Sequence, residues 1–299
     1  MRRVLILLFL VSSVASFAQY RWDFGANLGG TNYLGELGGG AGNGKAYSPA
    51  DLKWRKTRYS FGGFARYKYK QFISFKGNLN YVYISGSDAT TTNYGRRGRN
   101  LSFTNGLLDA EGIAEIFLLQ IRDVGGSYKY KNDIRIYAML GITGFYSNPK
   151  AEYNGAKIAL RPLQTEGKAY SPIGIGIPGG FGAYLTIQRI FRVGIEMVYV
   201  YTFTDHLDDI SNSKYPDPST LSSPLAAALS NRSGEYTSDP AYLAQYAPGQ
   251  KRGGAGKDGY MYTVLTGSYV MKGKSAFYKS RYGGLKGKGF KKRRIRAKF

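Results

Sequence analysis

Residues 73–83 read Ile-Ser-Phe-Lys-Gly-Asn-Leu-Asn-Tyr-Val-Tyr, and large apolar side chains alternate with polar ones along this stretch. Ile73, Phe75 and Leu79 fall on one face of an extended chain, whereas Lys76 and Asn78 fall on the other. Alternation with a period of two residues predicts a β-strand. A soluble sandwich would bury the apolar face in a core. A membrane barrel would turn the same face to lipid and keep the polar face inside.

Seven further segments repeat this alternation and are predicted as strands. They cover residues 21–30, 57–69, 107–121, 133–146, 172–187, 191–203 and 259–271. In the last of them, the apolar face is assigned to Tyr260, Tyr262 and Val264. Together with residues 73–83 they make eight predicted strands.

The connections between these segments alternate strictly between long and short. Long ones cover residues 31–56, 85–100, 147–171 and 204–258, and short ones lie around residues 70–71, 123–132 and 188–189. Outer-membrane barrels have this layout, with long extracellular loops and short periplasmic turns. The sequence therefore predicts an all-β fold, an eight-stranded antiparallel transmembrane barrel of the outer membrane, over residues 19–272.

Charged residues on the inward faces predict a filled lumen. An eight-stranded barrel is just wide enough for side chains to fill its interior. Opposite charges in such a narrow space pair with one another, which favours a plugged barrel over a wide pore. The residues assigned to the lumen are Arg66, Lys76, Glu111, Glu115, Arg192 and Glu196, and Arg58 is expected to point inward as well.

The N-terminal residues predict export from the cytoplasm. Arg2 and Arg3 precede an apolar run, and small residues stand before the expected cleavage after Ala18, so residues 1–18 are predicted as a signal peptide. The chain has no cysteine, which excludes disulfides, thiolate metal sites, a cysteine nucleophile and an acylated lipoprotein anchor. The net charge of +23 would otherwise suggest nucleic acid, but export removes that partner.

Much of the positive charge lies in residues 273–299, predicted as a periplasmic tail. Eight strands leave both chain ends on one side of the membrane, and in outer-membrane barrels that side is the periplasm. Basic residues with interspersed aromatics could dock an acidic protein surface or anionic lipid, or form a solvated end. The candidate partner-binding residues are Tyr278, Arg281, Tyr282, Phe290, Lys291, Lys292, Arg293, Arg294 and Arg296.

The only histidine lies in an acidic loop segment. Its candidate residues are Thr204, Asp205, His206, Asp208, Asp209 and Ser211. We interpret the segment as a loop pinned by hydrogen bonds from the backbone to carboxylates. Two alternatives stay open: a hard cation such as calcium held by these carboxylates and Asp217, and catalysis through His206. No enzyme active site and no cofactor are predicted.

Several segments resemble a known family. They are Gly29–Leu37, Arg99–Phe103, Pro162–Gly167, Ile177–Gly180, Thr204–Ser211 and Gln250–Gly253. In these segments the chain is similar to the PorG-like outer-membrane barrels of the type IX secretion and gliding machinery of Bacteroidetes. His206 departs from the family pattern, which has an aromatic residue at that position.

The resemblance implies a non-enzymatic component of the secretion apparatus. Such a barrel would anchor or organise a periplasmic ring made of a lipoprotein and its partner, PorK and PorN. The implied partners are this ring and outer-membrane lipid, with no nucleic acid and no small-molecule substrate. The alternative reading from the residues is a small outer-membrane pore or an OmpA-like structural barrel unrelated to secretion.

Overall fold

The computed structural model describes residues 21–38, 56–91, 93–124, 126 and 132–271. The predicted signal peptide at residues 1–18 and the predicted basic tail at residues 273–299 lie outside this part of the chain. The barrel prediction can therefore be followed through all eight of its strands.

The strands and helices follow one another in chain order. The strands are β1 (Trp22–Leu34), β2 (Arg58–Lys68), β3 (Ile73–Ser87), β4 (Ser102–Arg122), β5 (Asp133–Tyr146), β6 (Lys150–Tyr153), β7 (Ala156–Ala159), β8 (Ile173–Ile187), β9 (Phe191–Thr202) and β10 (Gly259–Val270). The short helices are α1 (Tyr94–Arg99), α2 (Pro224–Ser230) and α3 (Pro240–Leu243). Among the described residues, no helix has both the length and the apolar character needed to cross a bilayer.

The sheet closes on itself, which confirms the predicted fold class. Its hydrogen-bonded order is β3-β2-β1-β10-β9-β8-β5-β4, and a further pairing between β3 and β4 joins the two ends. The pairings around this ring are all antiparallel. The barrel thus has eight strands, while β6 and β7 form a separate hairpin beside β4. We call its two openings the long-loop end and the short-turn end.

Aliphatic and aromatic side chains cover the outside of the barrel. Leu79 is 71% exposed and Ile142 is 73% exposed. Every other barrel strand also carries exposed apolar side chains on its outer face. Exposing such side chains to water costs about 25 cal/mol for each Å² of apolar surface. An outward apolar band around a closed barrel with a polar interior is the arrangement of transmembrane barrels.

The face assigned to the last strand was wrong. Tyr260, Tyr262 and Val264 point into the lumen and are buried, whereas Leu265 and Tyr269 lie on the outside. Both tyrosine hydroxyl groups donate hydrogen bonds to carboxylates inside the barrel. Alternation alone could not reveal this, because both faces of β10 carry large side chains and the inward partners come from a distant strand.

Candidate functional site

A guanidinium group occupies the centre of the lumen. Arg66 on β2 is 1% exposed and forms ion pairs with Asp23 at 3.3 Å, Glu115 at 2.8 Å and Glu196 at 3.2 Å. Its carbon Cζ also lies 5.0 Å from the ring centre of Tyr184. A buried charge is tolerated only when it is fully paired, and the fork of donors in arginine suits several carboxylates at once.

Lys76 on β3 completes this lower layer of the lumen. Its Nζ atom lies 2.6 Å from Glu196 and 3.6 Å from Glu115. Neutral donors saturate the same carboxylates: Ser74 donates to Glu115 at 2.8 Å and Tyr137 donates to Glu196 at 2.7 Å. The network therefore joins side chains from strands on all sides of the barrel and leaves the lumen filled.

A second layer lies nearer the long-loop end. Glu111 on β4 accepts hydrogen bonds from the Tyr262 hydroxyl at 2.8 Å and from Asn78 at 2.7 Å. Asp109 accepts hydrogen bonds from the hydroxyl groups of Tyr260 and Thr143. Carboxylates here are held by neutral donors, in contrast to the ion pairs of the layer below.

All six residues assigned to the lumen from the sequence face inward and are buried. Arg66, Lys76, Glu115 and Glu196 form the central network, Glu111 belongs to the upper layer, and Arg192 pairs with Asp23 at 2.6 Å near the short turns. Arg58 is exposed at its strand end, where its Nε atom donates to the Ser85 hydroxyl at 2.7 Å. The sequence reasoning missed Asp23, although its place between Trp22 and Phe24 on β1 marks an inward position.

The long-loop end is closed by a polar cap built around Arg252. The guanidinium donates to the Glu166 carboxylate at 2.6 Å and to the Asp209 carbonyl at 2.9 Å. It also donates to the Ser230 carbonyl at 3.3 Å and to the Thr165 hydroxyl at 3.3 Å. Although burial opposes ionisation, Arg252 and the donors around Glu166 hold the pKa of that carboxyl below its usual value. This side chain therefore binds three separate loop segments together.

Tyr33 at the end of β1 fixes two carboxylates of the cap. Its hydroxyl lies 2.7 Å from Asp208 and 2.6 Å from Asp258. Asp208 accepts the backbone N–H of Ile210 at 3.0 Å, and Asp258 accepts that of Leu207 at 3.0 Å. Burial raises the pKa of both carboxyl groups well above the usual value, and repulsion by Asp258 adds to this at Asp208, as repulsion by Asp205 does at Asp258.

The lone histidine packs as an aromatic side chain. The ring centres of His206 and Tyr170 lie 4.4 Å apart with an interplanar angle of 25°. Burial lowers the pKa of His206. The Tyr170 hydroxyl donates to Asp209 at 2.5 Å, as does the hydroxyl of Thr165. The imidazole ring of His206 thus has a packing role beside Tyr170.

Serine, histidine and glutamate come together here, but in a structural arrangement. The Ser211 hydroxyl donates to Glu166 at 2.5 Å, and the nearest approach of His206 to Glu166 is 3.9 Å. Activating a serine as a nucleophile requires an imidazole that accepts the hydroxyl proton. Because Ser211 donates to the carboxylate that also pairs with Arg252, its hydroxyl serves to hold the loop.

The carboxylates of the acidic loop do not converge on a cation. The carboxylates of Asp205, Asp208 and Asp209 each accept hydrogen bonds from protein donors. Asp217 lies apart in an exposed turn, where it accepts the backbone N–H of Ser219 at 2.9 Å. Within residues 21–38, 56–91, 93–124, 126 and 132–271, no three or more acidic, histidine or cysteine side chains are placed to hold a metal ion. The geometry in this part of the chain favours the interpretation of a hydrogen-bonded loop over a calcium site.

A second arginine ties the cap to the strand connections. Arg99, the last residue of α1, pairs with Asp88 at 2.7 Å and with Glu36 at 3.7 Å. It also donates to the carbonyl of Arg252 at 2.9 Å. Asp88 and Asp258 were missed in the sequence, since a single loop carboxylate has no local signal for a partner many residues away.

The segments that carry the family resemblance meet in this cap. Five of them supply contacts to Arg252, Arg99 or the acidic loop, and they are Gly29–Leu37, Arg99–Phe103, Pro162–Gly167, Thr204–Ser211 and Gln250–Gly253. The sixth, Ile177–Gly180, belongs to strand β8. Segments far apart in the sequence thus build one buried hydrogen-bond network at the long-loop end.

The candidate residues of the tail lie outside the described part of the chain. These are Tyr278, Arg281, Tyr282, Phe290, Lys291, Lys292, Arg293, Arg294 and Arg296. Their proposed role in binding a partner stays a prediction.

No family model matches this chain, and no curated protein matches it. Among solved structures, the N-terminal β-barrel domain of OprF from Pseudomonas aeruginosa is 8% identical, covering 84% of this chain and 98% of that chain with a TM-score of 0.33. Ail of Yersinia pestis, in complex with the heparin analogue sucrose octasulfate, is 8% identical, with the same coverage and a TM-score of 0.35. CarO2 of Acinetobacter baumannii is 13% identical, covering 81% and 98%, with a TM-score of 0.22. Because these TM-scores are low, the closed barrel rests on the strand register of this chain itself.

Proposed function

We propose that this chain is a non-enzymatic outer-membrane component of the type IX protein secretion machinery. In this role the barrel anchors or organises a periplasmic ring of a PorK-like lipoprotein and its PorN-like partner. The observation that carries the anchoring role is the lumen, which is filled by buried side chains paired across the barrel, Arg66 and Lys76 above all. A barrel whose lumen is filled by side chains suits a fixed attachment point better than it suits a channel.

The exterior supports placement in the outer membrane. Aliphatic residues such as Leu79 and Ile142 stand outward all around the closed sheet. A barrel satisfies its backbone hydrogen bonds internally, which is the condition for crossing a bilayer with strands. The predicted signal peptide at residues 1–18 supplies the export that such a location requires.

The resemblance supplies the secretion system. Five of its segments come together in the cap, where Arg252 and Arg99 join them. Segments that build one buried network are a better basis for a shared fold and role than motifs scattered over the chain. This supports, by similarity, membership of the same machinery.

The position of the two chain ends supports a contact in the periplasm. The backbone N–H of Met271 donates to the Trp22 carbonyl at 2.8 Å, so both described ends of the barrel lie together at the short-turn end. In outer-membrane barrels that end faces the periplasm. The basic tail that follows, residues 273–299, would start on the side of the ring. Its positive charge and aromatic residues are suited to an acidic protein surface.

Co-purification from detergent-extracted outer membranes tests this proposal. The full chain and a chain ending at Lys272 would each carry a C-terminal affinity tag and be checked for barrel formation by unheated gel migration. We expect the ring lipoprotein and its partner to co-purify with the full chain and to be lost, or strongly reduced, with the truncated one. A third variant with Tyr278→Ser, Tyr282→Ser and Phe290→Ser keeps the charges and separates aromatic anchoring from simple attraction. Recovery of no secretion component with the full chain would overturn the proposal.

An OmpA-like structural barrel unrelated to secretion is the second candidate. The filled lumen favours it equally, since Arg66 and its partners block the barrel in either role. The co-purification experiment separates the two: a structural barrel would be recovered without the ring proteins. A small pore, the other alternative from the sequence, is disfavoured by the same plug.

A further inference from the structure

A cavity opens at the short-turn end of the lumen, below the central ion-pair network. Its volume is about 210 Å³, and its wall includes side chains from strands β2, β4, β5, β8, β9 and β10. This volume exceeds several times the roughly 30 Å³ that one water molecule occupies in the liquid. The cavity lies at the opposite end of the lumen from the cap.

Positive charge dominates the wall of this cavity. Five cationic side chains line it, and they are Lys68, Arg122, Arg135, Arg189 and Arg192. Only two carboxylates, Asp123 and Asp133, share the wall. Like charges gathered in a narrow, partly buried space repel one another, so an anion that enters lowers the electrostatic energy of the site.

The strand register explains how these residues meet. Asp133 on β5 stands opposite Thr186 on β8, and Thr186 stands opposite Arg192 on β9. On β4, a bulge between Phe117 and Leu119 shifts the pairing by one residue. Consecutive strands therefore present polar inward side chains at one level, and the site is built into the sheet instead of depending on loops.

Two of the guanidinium groups that line the cavity each have one nitrogen without a hydrogen-bond partner among the described residues. Arg135 is 6% exposed; its Nε atom pairs with Asp133 at 2.8 Å, but its Nη1 atom has no hydrogen-bond partner among the described residues. Arg192 is 7% exposed; its Nη1 atom pairs with Asp23 at 2.6 Å, while its Nε atom has no partner in the same part of the chain. A buried donor without an acceptor costs about 1–3 kcal/mol, more when it is charged. Both nitrogens lie too deep for solvent to reach, so an anion in the cavity would interact with the charge and the remaining nitrogens of these two side chains.

We propose that this mouth of the lumen binds a phosphate-sized oxyanion, which accepts hydrogen bonds from Arg135 and Arg192. Arg135 and Arg192 lie on β5 and β9, the two neighbours of β8, and Lys68 faces them across the opening, so a tetrahedral group with several oxygens can meet cations on both walls. Lys68 on β2 adds a third cation from the opposite wall. The shared chemistry is that of inorganic phosphate and of a phosphate carried by a lipid headgroup. The site does not depend on the secretion role and would serve a structural barrel as well.

Isothermal titration of the full chain in a zwitterionic detergent tests this site, with inorganic phosphate as the first probe. We expect saturable binding that weakens with ionic strength and becomes at least about tenfold weaker in Arg135→Gln, because a charge-assisted donor is lost. Lys68→Met should weaken it too, and it guards against misfolding of the first variant. Lys70→Gln, an exposed lysine of the same end that is outside the cavity, is the matched control and should bind as the parent does.

A second arm replaces free phosphate by phosphatidylglycerol doped into the micelles. Binding of inorganic phosphate that depends on Arg135 supports a free ligand, whereas binding of the doped lipid alone, with the same dependence, supports a headgroup. No binding in either arm, or binding that Arg135→Gln and Lys68→Met leave unchanged, overturns the proposal. Unheated gel migration of each variant reports whether the barrel has formed.

Discussion

Lys76 and Glu196 form a 2.6 Å ion pair across the full width of the barrel. Lys76 lies on β3 and Glu196 on β9, which stand opposite each other in the closed ring of eight strands. In the upper layer, Tyr262 on β10 and Glu111 on β4 face each other in the same way. Contacts of this kind oppose separation of the walls as directly as the hydrogen bonds within the sheet do.

Removing the central cation should destabilise the barrel more than any exposed charge does. In Arg66→Met the carboxylates of Asp23, Glu115 and Glu196 lose their common partner while they remain buried. We expect a loss of about 3–5 kcal/mol in the free energy of unfolding, the usual cost of an uncompensated buried charge. Urea unfolding in lipid vesicles measures it. Lys70→Met, at an exposed position, should change little; equal stability of both variants would contradict the role given to the network.

The filled lumen predicts an electrically silent barrel. With Arg66, Lys76 and Tyr137 buried across the middle, no continuous water path is expected. Planar-bilayer recordings of the purified chain should show no steady conductance. A porin with an open channel, recorded in the same bilayers, is the positive control. Steady current through the unaltered protein would favour the pore alternative.

A charged side chain in place of an outward apolar one should impair insertion of the barrel into a bilayer. Leu79 is 71% exposed on the band around the barrel. An arginine on the lipid face of a barrel costs about 2–4 kcal/mol near the middle of the bilayer. Leu79→Arg should therefore impair insertion into vesicles, whereas Leu79→Phe, which keeps the face apolar, should insert normally. If both variants assembled with equal yield, this face would not contact lipid.

Arg252 should control the order of the cap without affecting the barrel. Arg252→Gln removes the pair with Glu166, and two backbone carbonyls lose a charged donor. Limited proteolysis should then cut residues 204–258 several times faster, while unheated gel migration stays that of a formed barrel. The neighbouring Lys251→Gln, at an exposed position, is the matched control. Unchanged cleavage in Arg252→Gln would mean that the cap is held by its other contacts.

The acidic loop should become less protected as the pH rises. Burial raises the pKa of Asp205 to about 6, and its Oδ1 atom has no hydrogen-bond partner among the described residues. A carboxyl whose pKa is raised by folding is most favourable when protonated. The loop therefore loses stability as the pH rises from about 4 to about 6 and stays weakened above that range. Asp205→Asn removes this cost. At pH 8 it should therefore raise the free energy of opening of the amides of residues 205–213 by on the order of 1 kcal/mol. At pH 4 it should leave that free energy unchanged.

Hydrogen exchange of those amides measures the effect, and Asp217 provides a control of opposite sign. Hydrogen bonds from Ser219 lower the pKa of Asp217, so its charged form stabilises the turn. Asp217→Asn should thus weaken its turn at neutral pH, where Asp205→Asn strengthens the loop. Equal protection in Asp205→Asn and the parent at pH 8 would exclude a cost from this carboxylate.

Alternation along the chain predicted the strands, the lengths of their connections predicted the barrel, and one strand was predicted at its observed bounds. Residues 133–146 form β5 as expected, because each outward aliphatic residue is followed by a small or inward one. β4 extends from Ser102 to Arg122, beyond the predicted 107–121, since its long-loop end continues pairing with β3. Pairing with the neighbouring strand determines where a strand ends, and the sequence of one segment does not contain that information.

The sites were predictable only in part. The charges of the lumen could be assigned from alternation, but their partners could not, because Lys76 and Glu196 meet only when the sheet has closed. In the cap, Asp205 to Asp209 stood out as an acidic run, whereas the roles of Tyr33 and Arg252 depend on contacts from distant loops. The inward face of β10 was missed for the same reason: Tyr262 needs Glu111 from across the lumen to identify it as an interior residue.

The two layers of cross-lumen contacts run along different diameters of the ring, β3 to β9 and β10 to β4. Flattening the cross-section along either line would stretch one set of contacts and compress the other. Lateral pressure in the bilayer is therefore met by a cylinder that keeps its round outline. A force applied at the short turns is therefore expected to move the barrel and the cap together as one stiff body. We expect little change in the cross-section and little sliding between strands.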